Sequence, residues 1–430
     1  MSQYENQKRP LVYSKKKIDK AADKIRHGVE GDERIEAIEA IQSYREFHLY
    51  PLMLLKNHLA RTAKKISPDV IVARRLKRLP TIINKLERPT LDGASSNAIK
   101  FTRMQDIAGC RAIVKNPKQL WALKKRLERS RSVHTIRRVK DYLTEPKKSG
   151  YGGLHLIYKC YDGLDADHPW KGTLVEIQLR TELQHAWATS LEIIDTLEGI
   201  DLKTSMQNHD DWREFFSLSG RVAAHKEGFC EMDQDVMANV FARCYGLALE
   251  LEVEEKLNKY ELAITITTDS DIVPTHKLNR NGLFLIRITK EAFQNKTYEI
   301  DVKSFGSDES KLALETLNES ELNEEYIVAV LVSAEGVRSL KQAYPNYFGS
   351  TDLFRKFLSY IKQQYKEVTD KYLVRAAVIL DGYFKDIEAG IWIPPEVKEQ
   401  TQILLKLAST EESIKADIEK RLGYSLDGKL

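Results

Sequence analysis

Cysteine is scarce in these 430 residues: Cys110, Cys160, Cys230 and Cys244 stand far apart, with no C-x-x-C spacing. That excludes a disulfide framework and the usual zinc ribbons, and predicts reduced, buried thiols. No stretch approaches the roughly 18 apolar residues that a membrane span needs, and the first eight residues lack the apolar core of a signal peptide. The chain is therefore expected to be soluble and cytoplasmic, with no membrane partner. Internal repeats and low-complexity tracts are also missing. A formal net charge of only +4 says little about partners.

The distribution of charge says more. Residues 100–182 hold 18 Lys and Arg against 9 Asp and Glu, whereas residues 291–325 hold 3 against 10. The basic segment suits phosphates, and the acidic one could meet it within the same chain. Length and a 42% apolar content support more than one core. The reading is a polar leader over 1–34, a first domain over 35–235, a linking helix over 236–265, and a second α+β domain over 266–430.

Periodicity places the elements. The leader is loosely held or helical. Apolar residues from Ile35 to Leu59 recur at helical spacing, interrupted at Pro51, and a further helix is expected from about Pro68, carrying Arg75, Lys77 and Lys85. Residues 107–114 read as a strand entered through Asp106 and broken by Gly109, followed by a basic helix over 119–131. Strand-like runs follow at 135–139, 154–161 and 174–179, then helices at 185–197, 212–230 and 237–261. In the second domain, strands are expected at 283–288, 298–302 and 326–332, with helices at 312–317 and 351–364 and a helical tail over 395–422. The fold class is α+β: a mixed sheet flanked by helices, with a second α+β domain.

Two stretches carry chemistry. Between Asp141 and His155, Pro146 and three glycines forbid a regular helix while Lys147, Lys148, Tyr151 and His155 supply cations and a ring. Such a loop suits a nucleotide: backbone close to phosphate, ammonium groups on it, an aromatic face for a base. In the run at 174–179, alternation turns Val175, Ile177 and Leu179 one way and Glu176, Gln178 and Arg180 the other. With Asp106 opening its own strand, the region offers two carboxylates for a divalent metal, cations for phosphates and a base, the requirements of phosphoryl or pyrophosphoryl transfer.

These residues carry a resemblance. Asp106-Ile-Ala-Gly-Cys-Arg111, then residues 140–155, then Val175-Glu-Ile-Gln-Leu-Arg-Thr181 with His185-Ala-Trp-Ala188, resemble the synthetase domain of the RelA/SpoT alarmone enzymes, a nucleotidyltransferase-like fold. Arg75-Leu-Lys77 resembles the family's Arg-x-Lys element, and the resemblance covers about residues 35–230. It implies Mg2+-dependent transfer of the β,γ-pyrophosphate of ATP to a ribose 3′-hydroxyl, normally that of GDP or GTP. Carried over by position, Asp106 and Glu176 would be catalytic and bind the metal, with Glu176 alternatively activating the hydroxyl. Arg75 and Arg111 would sandwich the adenine, with Lys77 and Lys85 also on the ATP side. Tyr151 would stack on the acceptor base, with Lys147, Lys148, His155, Gln178 and Arg180 around the acceptor.

Two departures bear on the acceptor. Many relatives read Tyr-Arg-Ser-Leu-His where this chain has Tyr151-Gly-Gly-Leu-His155, which removes a cation beside the stacking ring. After Trp187 the usual Glu and His are replaced by Thr189, Ser190, Leu191 and Glu192. Some relatives are toxins that modify the 3′ end of tRNA, and the basic stretch 124–140 suits a tRNA backbone. A third reading, of another class, is an inactive nucleotide-binding module. No counterpart of the family's hydrolase half is expected, so the chain should synthesise and not degrade, and His209-Asp210 reads as the approach to a helix. In the second domain, Tyr344 and Tyr347 resemble an element with which some toxins block their own nucleotide site, so an autoinhibitory contact is expected. Oligomeric state is left open.

Overall fold

The computed structural model describes residues 5–87, 100–164, 167–197, 200, 202, 209–257, 283–289, 300–306, 309–333, 352–410 and 412–427. Tyr344 and Tyr347 lie outside them. The chain divides into two compact units, residues 1–232 with 247–357, and residues 233–246 with 358–430.

The first unit begins with three helices, α1 (Lys15–Arg26), α2 (Gly31–Phe47) and α3 (Leu49–Ala63). The leader is not loosely held. Ser14 caps α1 by accepting from the Lys17 amide, and Ile18, Ala22 and Ile25 are fully buried. The break between α2 and α3 falls at His48, ahead of Pro51, which sits in the first turn of α3 where its missing N–H leaves no bond unmade.

A five-stranded sheet follows: β1 (Ile71–Leu76), β2 (Ala108–Val114), β3 (Thr135–Asp141), β4 (Leu154–Lys159) and β5 (Leu174–Thr181), in the order β1-β2-β5-β4-β3. Only β2 and β5 run parallel. The helix expected from Pro68 is corrected here: residues 71–76 form strand β1, and only Leu79–Glu87 are helical, as α4. The segment Ile-Val-Ala-Arg-Arg-Leu opens with β-branched residues, and every one of its six residues is in register with β2 along its inner edge. Nor does Gly109 break β2; it pairs with Arg75 on one side and Glu176 on the other. Helix α5 (Pro117–Glu128) covers the apolar face together with α3, and α6 (Glu182–Leu197) and α7 (Asp210–Lys226) follow β5. His209 immediately precedes α7, in a left-handed conformation.

Later in the chain the same unit contains a three-stranded antiparallel sheet, order β7-β6-β8, of β6 (Leu283–Thr289), β7 (Ile300–Phe305) and β8 (Tyr326–Ser333), packed on helix α9 (Ser310–Leu322). The second unit contains most of α8 (Gln234–Glu250) and of the 37-residue helix α10 (Asp352–Glu388), which runs far past the expected end at 364. The tail forms two helices, α11 (Pro395–Thr410) and α12 (Glu412–Leu422), whose Ala408 and Ile418 share a core with Leu373, Leu380 and Phe384 of α10. Among the described residues no helix is long and apolar enough to cross a membrane.

Candidate active site

Strand register decides which side chains meet. Arg75 stands opposite Gly109, which stands opposite Glu176; Arg111 opposite Gln178; Gln178 opposite His155; and His155 opposite Lys140. Directly opposed residues share a face, so Arg75, Arg111, Glu176, Gln178, Arg180, His155 and Lys140 converge on one side of the sheet. The other side presents Cys110, Ala112, Leu156, Ile177 and Leu179 to the core.

On the polar face five side chains close a ring of hydrogen bonds. His155 Nδ1 lies 2.8 Å from Glu176 Oε1, and Tyr151 Oη lies 2.6 Å from His155 Nε2. Arg180 Nη2 donates to Tyr151 Oη at 2.9 Å and to Gln178 Oε1 at 3.3 Å, and Gln178 Nε2 donates to Glu176 Oε2 at 2.7 Å. Every link is satisfied with Glu176 ionised and accepting from His155 Nδ1 and Gln178 Nε2, and with the Tyr151 hydroxyl shared between His155 Nε2 and Arg180. Glu176 and His155 are each 7% exposed and Arg180 5%. Burial alone would raise the Glu176 pKa, but the bonds from His155 and Gln178 reverse the sign and hold it below the ordinary range.

Asp106 forms a second centre just ahead of β2. Lys77 Nζ lies 2.8 Å from its Oδ2 and Lys85 Nζ 3.2 Å from its Oδ1. Here too burial favours the neutral acid, and the two ammonium groups outweigh it, so Asp106 is held ionised. The charge of Asp106 acts on Glu176 in the opposite sense, raising its pKa. The mixed environment makes both carboxylates permanent anions near neutral pH.

The loop over 141–155 is placed by backbone contact. Gly150 has φ +82°, and a Cβ there would come 2.3 Å from the Phe216 carbonyl, while one on Gly220 would come 2.0 Å from the Gly150 carbonyl. Only paired glycines let the loop lie on α7. Thus seated, Lys147 Nζ stands 4.4 Å from the Tyr142 ring centroid and 5.2 Å from that of Tyr151, and the Arg180 guanidinium stands 5.0 Å from the latter. The Tyr151 ring therefore has two cations beside it despite Gly152 and Gly153: Lys147 from the same loop and Arg180 from β5. Burial and the neighbouring Lys140 lower the Lys147 pKa.

Eleven of the twelve residues singled out from sequence for catalysis or nucleotide binding have their side chains at the two centres, on the strand face they share or beside the Tyr151 ring. Lys148 does not join them: it is exposed, and it is its backbone carbonyl that accepts from Ser217 Oγ, at 2.7 Å. Two contributors escaped sequence reading as site residues. Tyr142 packs edge-on against both Tyr151 and His155. His185, on α6, is 5% exposed with neither ring nitrogen bonded, and burial together with the charges of Arg111 and Arg180 pushes its pKa well below the usual value. Its place in the His185-Ala-Trp-Ala188 run was the only available signal.

Comparison with known proteins matches residues 74–193, the span that builds both centres, to the region found in RelA and SpoT proteins. The chain contains a RelA/SpoT-type synthetase domain. This domain is 33% identical over 123 residues to the GTP pyrophosphokinase YjbM of Bacillus subtilis strain 168, a match spanning 29% of this chain and about half (54%) of that protein. Among solved structures, small alarmone synthetase 1 of B. subtilis bound to its product pppGpp is 25% identical, with 44% of this chain and 94% of that one covered and a TM-score of 0.34. A GTP pyrophosphokinase family protein from Streptococcus pneumoniae is also 25% identical, covering 41% of this chain and 85% of its own at a TM-score of 0.31.

Proposed function

We propose that the synthetase domain transfers the β,γ-pyrophosphate of ATP to the 3′-hydroxyl of GDP or GTP. The observation that carries this reading is the buried, ionised Glu176 at the head of the His155–Tyr151–Arg180 series, on a face shared with Arg75 and Arg111. In the reaction the 3′ oxygen bonds to the β-phosphorus, the bond from that phosphorus to the α–β bridging oxygen breaks, AMP leaves, and Glu176 accepts the hydroxyl proton. A carboxylate held below its ordinary pKa is a weak base, which suits a loose transition state where positioning and charge stabilisation dominate. Arg75 and Arg111 offer planar guanidinium groups to the adenine, Tyr151 its ring to the acceptor base, and Lys77, Lys85, Lys147 and Arg180 their charges to phosphates.

The donor set fits Mg2+: Asp106 would hold it through an ionised carboxylate, with Glu176 as a ligand in the alternative where it is not the base, and this ion is commonly held by one or two carboxylates together with substrate phosphates. When bound, it would neutralise charge developing on the transferred group.

A second reading takes the 3′ end of tRNA as acceptor, with the C-terminal region restraining the activity. Its support is the exposed run Lys125, Arg126, Arg129, Arg131, Arg137 and Arg138, ending on edge strand β3. Incubating the full chain with ATP labelled in its terminal phosphates and GDP, GTP or tRNA separates the readings. Label in a guanosine nucleotide supports the first, label in tRNA the second, and label in neither an inactive nucleotide-binding module.

A further inference from the structure

The segment that joins β1 to α4 supplies Lys77 and leads to Lys85, the two cations on Asp106, and it is pinned from far along the chain. Arg45 of α2 and Glu321 of α9 face each other with Nη2 and Oε1 3.1 Å apart, each side chain 1% exposed. Neither spends its remaining groups on the other. Arg45 Nε donates to the Lys77 carbonyl at 2.8 Å, and Glu321 Oε2 accepts from the Leu79 amide, at the unsatisfied start of α4, at 3.3 Å. On the inner side the Lys77 amide donates to the Ile107 carbonyl at 2.8 Å, next to Asp106 itself. One helical turn earlier on both helices, Gln42 Nε2 donates to Asn318 Oδ1 at 2.6 Å, so α9 is registered against α2 at two levels.

A buried ion pair whose guanidinium Nε and second carboxylate oxygen both land on one three-residue segment, while Arg45 Nη1 donates to Gln42 Oε1 within α2 at 3.2 Å, does more than join two helices. We propose that Glu321 and Arg45 are positioning residues for the synthetase centre: α9 fixes the start of α4 and the Lys77 backbone, and thereby the two ammonium groups that hold Asp106. The region after residue 247 would then help to build the pyrophosphate-transfer site, and the acidic stretch of the sequence would have a buried, inward use at Glu321. A positioning role of this kind shows in the rate of the chemical step more than in substrate affinity.

The proposal rests on the transferase reading above, so the test in full-length protein pairs a rate with a measurement independent of activity, hydrogen exchange at the Leu79 amide. Glu321→Asp keeps the charge for Arg45 and withdraws the oxygen from Leu79; Glu321→Gln keeps the reach. The double variant Arg45→Met with Glu321→Leu removes both anchors while filling the space, a replacement that buried ion pairs tolerate. Expected for Glu321→Asp and the double variant are at least tenfold faster exchange at Leu79 and a kcat reduced about tenfold with less than twofold change in the KM for ATP, at melting temperatures within a few degrees of the parent. Glu321→Gln should retain most of the rate. A kcat within twofold of the parent in Glu321→Asp, or unchanged exchange at Leu79, overturns the proposal. A parent that labels no acceptor defeats the transferase reading instead, and the exchange comparison still reports whether Glu321 holds the segment.

Discussion

The two sheets of the first unit use the same ingredients to different ends. In the three-stranded sheet Arg287 of β6 donates its Nε to Asp301 Oδ2 of the neighbouring β7 at 2.7 Å, and its guanidinium lies 4.8 Å from the Tyr326 ring. Arginine, carboxylate and tyrosine there form a local cross-strand group, with Asp301 41% exposed and open to water. In the five-stranded sheet the carboxylate is buried, is bonded by an imidazole and an amide, and is linked through that imidazole and a phenol to an arginine that never touches it. A charge neutralised on the spot serves folding. A charge kept apart from its counter-ion, in a low dielectric, remains available to a substrate, and its maintenance requires the rest of the fold.

The sharpest way to break this comparison is Glu176→Gln. On the proposed function it should lower pyrophosphate transfer roughly a thousandfold, within the 10²–10⁴ range of a lost base, while a non-hydrolysable ATP analogue still binds by calorimetry. Unchanged turnover would place the chemistry elsewhere.

Next in size is a contrast inside the synthetase sheet. Glu227, just past α7, is a partly buried carboxylate with one hydroxyl partner, Thr181 Oγ1 at 2.8 Å, and its desolvation pushes its pKa up to about 7 from the ordinary 4.5. A folded-state pKa above the unfolded one means the folded protein binds the extra proton. Its stabilising contribution is full below about 4.5 and is lost as pH rises through about 7. Glu227→Gln should remove that loss and raise stability at pH 8.5 by about 2 kcal/mol with little gain at pH 5, read from denaturant melts at the two pH values. Equal gains at both would show that Glu227 titrates normally.

The smallest effect belongs to the other sheet. Asp301→Asn should cost at most about 1 kcal/mol in stability, as expected for a half-exposed pair, and leave the transfer rate untouched. A rate that fell with it would erase the distinction between the two polar groups.

Much of the site was legible before the fold was known, because its residues sit close together in sequence and at period two. Glu176, Gln178 and Arg180 alternate on one strand, so their common face follows from the pleat alone. Arg75 was placed on a helix, because Val72, Leu76 and Ile82 also fit a helical stripe, and short apolar runs do not separate the two periods. Pairing with β2 decided for the strand. The cations beside Tyr151 are a different case: the sequence puts Lys147 on the same loop, but only the fold brings it toward the ring and Arg180 in from β5.

By itself the sequence determined which chemistry was on offer: two carboxylates, a basic region, a glycine-bearing loop with a tyrosine, and the order of elements that brings them near one sheet. Those are properties of residue type and short spacing, where local geometry is nearly fixed. Tertiary structure alone decided the protonation and availability of each group. The Glu176 carboxylate is an anion because His155 reaches it from β4 and Gln178 from its own strand, and Asp106 because Lys77 and Lys85 converge on it. The segment bearing those lysines is tied to Glu321, 242 residues beyond Leu79. Burial and charge act through space, and no pattern along the chain carries that information.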